Sequence, residues 1–159
     1  MKIKILCVGK MKEKYLRDAV AEYAKRLSRY CKLEIQEVAD ERIPDGASPA
    51  VERQVQETEG RRILNCIRDS DYVVALVIEG KMPDSVSLAR KIEQLGLKGK
   101  SSICFVIGGS LGLSEEVRTR ADEQMSFSRL TFPHQLMRVI LLEQIYRSFR
   151  IINGEPYHK

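Results

Sequence analysis

At 159 residues and 43% hydrophobic content the chain has enough material for one domain with an ordinary core, and with 31% charged residues and no apolar run near the roughly 20 residues of a bilayer span it excludes an integral membrane helix. The opening MKIKILCVGK lacks the apolar length and small-residue cleavage site of a secretory leader, so a cytoplasmic protein is expected. Net charge is +5 but uneven: residues 1–32 hold ten Lys and Arg against Glu13, Asp18 and Glu22, which suits either a nucleic-acid partner or a solvated helix face.

Ile3 to Val8 reads as a first strand, turned by Gly9-Lys10. From Lys12 to Tyr30, apolar residues recur at Leu16, Ala19, Val20, Tyr23, Leu27 and Tyr30, the spacing of an amphipathic helix. Leu33, Ile35 and Val38 alternate loosely as a second strand, and Ala39 to Ser48, rich in Asp, Pro, Gly and Ser, reads as a surface loop. Pro49 suits the first turn of a helix to about Ile67, weakened at Gly60 by about 1 kcal/mol. Asp69-Ser70-Asp71 breaks it. Tyr72 to Ile78 is an unbroken apolar run, the signature of a strand buried on both faces, and Glu79-Gly80-Lys81 is expected to turn it.

Asp84 or Ser85 caps the next helix, which Gly96 and Gly99 end. Ile103 to Ile107 is a second fully apolar run, followed by Gly108-Gly109-Ser110, Gly112 and the helix start Ser114-Glu115-Glu116. A buried strand feeding a glycine-rich turn and a helix places that turn at the carboxyl edge of a sheet, where α/β folds bind ligands. It carries neither the Gly-Lys-Ser/Thr of a phosphate loop nor the G-x-G-x-x-G of a dinucleotide loop, and a ligand-free tight turn fits it equally. Ser114 opens a short helix to about Glu123, Met125 to Leu130 reads as a last strand, and a long helix runs from His134 to about Ile151. This alternation predicts an α/β fold: a single domain with a mostly parallel sheet flanked by helices. Cys7, Cys31, Cys66 and Cys104 are widely spaced, so reduced thiols are expected and no metal site.

In the last helix, Glu143, Arg147 and Arg150 form one narrow polar strip while apolar residues cover most of the rest. Such a helix is expected to bury a second side, against a symmetric partner or deep in its own chain, and both Ile140 and Leu141 are candidates for that buried side. Arg138 lies on the apolar stripe beside Leu142, Ile145 and Phe149 and needs an anionic or acceptor partner. The tail Tyr157-His158-Lys159 places one of two histidines beside a tyrosine and a lysine, a candidate acid–base group where fraying is the usual outcome. His134 opens the last helix, where packing explains it as well as chemistry does.

Taken together, Ile3–Lys10 (IKILCVGK), Leu76–Lys81 (LVIEGK), Val106–Leu113 (VIGGSLGL), Ser126–Arg138 (SFSRLTFPHQLMR) and the terminal Tyr157-His158-Lys159 resemble the RlmH (YbeA) family of SPOUT-class ribosomal RNA methyltransferases, over the whole length. The resemblance implies one domain over residues 1–159 with a C-terminal trefoil knot, a homodimer, S-adenosyl-L-methionine as methyl donor, and N3-methylation of a pseudouridine in 23S rRNA of the assembled ribosome. It places the cofactor at Leu76, Gly108, Phe127, Ser128, Arg129, Leu130, Thr131 and Phe132, with a side chain at Gly108 expected to fill the site. Tyr157, His158 and Arg138 are the expected catalytic groups, the first two for proton transfer and Arg138 to offset negative charge on the base. A non-catalytic RNA-binding ribosome-associated factor, or another nucleotide-binding α/β enzyme, fits the residue patterns without the resemblance.

Overall fold

Five parallel strands form the sheet, in the order β2-β1-β4-β3-β5, in a computed structural model that describes residues 1–158. The strands are β1 (Lys2–Val8), β2 (Lys32–Val38), β3 (Tyr72–Lys81), β4 (Ser102–Ile107) and β5 (Glu123–Met125). Helices α1 (Lys14–Leu27), α2 (Pro49–Leu64), α3 (Ser85–Leu97), α4 (Glu115–Arg120) and α5 (His134–Ile152) alternate with them.

The unbroken apolar runs are explained by burial on both sheet faces. Ile3, Ile5 and Cys7 of β1 and Ile103, Phe105 and Ile107 of β4 enter the core beneath α1, α3 and α5. Their alternates, Leu6, Val8, Cys104 and Val106, enter a second core with Ile63 of α2 and Val117 of α4. The crossovers β1 to β2 and β3 to β4 run one way across the sheet and use α1 and α3 on one face. Those from β2 to β3 and β4 to β5 run the other way and use α2 and α4 on the opposite face. Face and direction therefore switch together, as crossovers of a single hand require. α5 returns to the first face and packs between α1 and α3.

Gly60, in the middle of α2, has a local cause. A Cβ there would lie 2.3 Å from Ser114 Oγ, so glycine lets α2 approach the start of α4. All four cysteines are free thiols, and burial pushes Cys7 and Cys31 up to about 11 and Cys104 up to about 12. Among the described residues, no helix is long and apolar enough to cross a membrane.

Three expectations from sequence are corrected. The last strand is Glu123–Met125, not Met125 to Leu130. Ser126 Oγ donates to Ser128 O at 2.9 Å and accepts from Ser128 N at 3.2 Å, and Ser128 Oγ accepts from Leu130 N at 3.0 Å. These local bonds turn the backbone away from a ladder. Glu79-Gly80-Lys81 does not end β3, which continues past an irregularity so that Lys81 pairs with Met125. Gly80 permits this, because a Cβ would meet the β5 backbone at 2.7 Å. Finally, Leu141 is fully buried in its own chain's core, so the second apolar side of α5 consists of Leu136, Val139 and Ile140.

Candidate active site

A cleft of about 890 Å³ opens at the carboxyl edge of the sheet, within the range of about 300–1,000 Å³ usual for small-molecule sites. Three segments converge on it. The end of β3 contributes Leu76 to Glu79, the turn after β4 contributes Ile107 to Leu113, and the stretch from β5 into α5 contributes Met125 to Ser128, Leu130 to Gln135, and Met137. That last stretch starts at one edge of the sheet and must cross the ends of β3 and β4 to reach α5, whose Arg138 bonds to the end of β1. Glu13, Tyr15 and Leu16, after β1, close one side, in a segment that also carries the exposed Lys10, Lys12 and Lys14.

Of the residues the resemblance assigned to the cofactor, Leu76, Gly108, Phe127, Ser128, Leu130, Thr131 and Phe132 line this one cleft. Arg129 does not, although its main chain belongs to the same segment. Because the serine hydroxyls shape residues 126–130 locally, the main chain there is not consumed by a sheet ladder. Gly108 lines the cleft and is also constrained by the turn in which it sits. A Cβ there would stand 2.9 Å from the Gly112 carbonyl carbon, inside the turn itself. Gly112, at φ 80°, closes that turn by donating its N–H to Gly109 O at 3.0 Å.

The three expected catalytic residues lie outside the cleft lining. Arg138 is 3% exposed, and its guanidinium is committed to an ion pair with Glu37 and to the carbonyls of Val8, at 3.2 Å, and Gly9, at 2.6 Å. It ties the start of α5 to the ends of β1 and β2. The Tyr157 hydroxyl donates to Glu143 Oε1 at 3.1 Å, and its ring packs edge-on against Tyr146 with centroids 5.0 Å apart. His158 Nδ1 lies 3.2 Å from Arg147, which also forms an ion pair with Glu143 at 2.6 Å. The tail is thus docked on α5 rather than frayed; Lys159 lies outside the described residues. At a rise of about 1.5 Å per residue, Glu143 and Arg147 are about 9 and 15 Å along α5 from Met137 at the cleft.

Sequence reasoning missed Glu59. It is 5% exposed, and burial pushes its carboxyl above the usual range. Oε2 accepts the Glu41 N–H at 2.9 Å, while Oε1 is buried without a partner among the described residues. The signal was present: Glu59 falls four residues after Val55 and four before Ile63, both buried, which places an acid on the apolar stripe of α2. Glu59 lines a second cavity of about 180 Å³ that shares Gly109, Ser110, Leu111 and His134 with the cleft. Burial, and then the charge of Arg138, push His134 below its ordinary value, so its imidazole is neutral near pH 7.

A family model described as "Predicted SPOUT methyltransferase" matches residues 1–158. The chain is similar to proteins named Ribosomal RNA large subunit methyltransferase H. It is 62% identical to that of Bifidobacterium adolescentis, 60% to that of Clostridium novyi and 58% to that of Enterococcus faecalis, each over 159 residues and the whole of both chains.

Proposed function

The chain belongs to the SPOUT methyltransferase family, and on that premise we propose that it methylates N3 of a pseudouridine in large-subunit ribosomal RNA, using S-adenosylmethionine, as a cytoplasmic homodimer acting on the assembled ribosome. The family's fold is a trefoil-knotted α/β sheet, and the passage of residues 126–133 across the ends of β3 and β4 is the path such a knot takes. One observation carries the reading. The end of β3, the glycine turn after β4 and residues 126–133 meet in a single cleft.

The residues present fit the methyl donor. Leu76, Phe127 and Phe132 supply apolar walls, and the main chain at Gly108 and residues 127–132 offers N–H and C=O groups to an adenine edge. Bound S-adenosylmethionine supplies a methyl group already activated by the sulfonium, so the protein's task is orientation and proton removal. The chain would hold N3 of the base in line with that methyl group and take up the N3 proton. Tyr157 and His158 are the groups suited to accept or relay it. Their own cleft is too far along α5, so a partner copy would deliver them. Pairing of two copies over Leu136, Val139 and Ile140 would bury that apolar strip and bring each tail toward the other cleft. Arg138 contributes by holding the start of α5, not by touching the base. Lys10, Lys12 and Lys14 suit the phosphates of an RNA loop, whose base must be unstacked to enter.

Purified protein incubated with S-adenosylmethionine and ribosomes should give N3-methylpseudouridine by mass spectrometry of the ribosomal RNA. His158→Ala and Tyr157→Phe should keep cofactor affinity by calorimetry while transfer falls about 100-fold, the scale of a positioned proton-transfer group. Absence of methyl incorporation by the wild-type protein would overturn the proposal.

A further inference from the structure

We propose that Glu59 and the small cavity beside the main cleft form the subsite for the α-amino-acid end of the methyl donor, with the Glu59 carboxylate receiving the α-ammonium group. The inference rests on the reading that the main cleft takes S-adenosylmethionine. It starts from a cost the fold does not otherwise explain. A buried carboxylate oxygen with no donor is destabilising, and such a group persists where something else supplies the donor. Glu59 Oε1 is that oxygen.

Its surroundings narrow the partner. Glu59 lies directly under the glycine turn, since a Cβ on Gly109 would stand 3.2 Å from Oε1 and 3.4 Å from Oε2. A ligand lying along the Gly108–Leu111 turn in the main cleft reaches the second cavity across that shared wall. The rest of the cavity is of mixed charge. Asp40 and Glu41 add acids, but Arg62 already pairs with Glu41 at 2.7 Å. Arg42, on the same lining, is exposed. An interior acid with an arginine at the rim suits a zwitterion, ammonium inward and carboxylate outward, better than a simple cation. His134, neutral and shared by both cavities, adds a hydrogen-bonding wall without repelling the ammonium. Among the described residues no group of three or more His, Cys, Asp or Glu side chains is arranged to hold a metal ion.

The test separates the two ends of the ligand by calorimetry. S-adenosylhomocysteine carries the whole amino-acid end, its des-amino analogue lacks only the ammonium, and 5′-methylthioadenosine lacks the amino acid altogether. Wild-type protein should prefer S-adenosylhomocysteine over the des-amino analogue by about 10- to 100-fold, the range of a charge-assisted hydrogen bond. Glu59→Gln, which keeps the shape, should reduce that preference to about threefold or less and leave 5′-methylthioadenosine binding within about twofold of wild type. If 5′-methylthioadenosine binds both proteins alike and Glu59→Gln keeps the full preference, the subsite is refuted alone. If wild type does not distinguish the des-amino analogue, the subsite is refuted without recourse to any variant. If wild type binds neither S-adenosylhomocysteine nor 5′-methylthioadenosine, the cofactor reading fails and the subsite with it.

Discussion

Replacing Glu37 by Gln should destabilise the protein more than its position suggests. The Glu37 side chain is 36% exposed, and an exposed partner in an ion pair is ordinarily worth about 0–1 kcal/mol. Its partner is different: Arg138 is 3% exposed. Without the carboxylate's charge, the guanidinium faces only neutral acceptors, the introduced amide oxygen and the Val8 and Gly9 carbonyls, dipoles opposite a full buried charge. Stranding one member of a buried pair costs about 3–5 kcal/mol, and solvent at the Glu37 end reduces this to about 2–3 kcal/mol. Gln also weakens the acceptor for the Met11 N–H, now at 2.9 Å, and so loosens the lysine-bearing stretch that closes one side of the cleft. Guanidinium denaturation of wild type, Glu37→Gln, Arg138→Met and the double variant gives the cycle. The double variant should recover a large part of the Glu37→Gln loss, because the stranded charge is gone. A Glu37→Gln cost below about 0.5 kcal/mol would show an ordinary surface bridge and refute the buried-charge reasoning.

Gly60→Ala should lower the denaturation midpoint although alanine is the better helix former, because the contact with Ser114 at 2.3 Å costs about 1–3 kcal/mol against a propensity gain of about 1 kcal/mol; a more stable variant would refute the close approach of α2 and α4. Leu141→Asp should abolish folding by circular dichroism, whereas Ile140→Asp should fold and shift light scattering from dimer to monomer, and a monomeric wild type at micromolar concentration would remove the pairing surface. His134 is held below its ordinary value, first by burial and then by Arg138, so its neutral form contributes stability that is complete above 6.5 and lost as pH falls through the depressed folded value; His134→Gln should flatten the midpoint against pH over that acid window.

The order of elements was legible because both kinds of apolar pattern were strong. Tyr72 to Ile78 and Ile103 to Ile107 could hardly be anything but central strands, and α1 and α3 carry clean helical spacing. What local pattern hid is non-local. Arg138 read as a buried cation in need of a partner, but Glu37 lies 101 residues away and nothing near either residue announces the pairing. Residues 126–130 have strand-like composition, yet three short serine contacts divert them. The same diversion frees that main chain to form one wall of the cleft, so the misread strand and the site are a single fact. The tail looked dispensable because the aromatic and ionic surface that receives it, Tyr146, Glu143 and Arg147, is assembled only on the folded α5.

The cleft's third wall, residues 126–133, follows all five strands in the chain. Residues 126–133 cross the ends of β3 and β4 to complete the cleft, so the ligand site cannot exist in any partly folded form that lacks this passage. A passage completed late in folding would leave the donor able to bind only after it. S-adenosylmethionine should leave the refolding rate unchanged and place all of its stabilisation in the unfolding rate, slowing it about 100-fold at a ligand concentration 100 times the dissociation constant. Stopped-flow traces with and without ligand would resolve the two limbs. In the cell, donor binding would await completion of that passage.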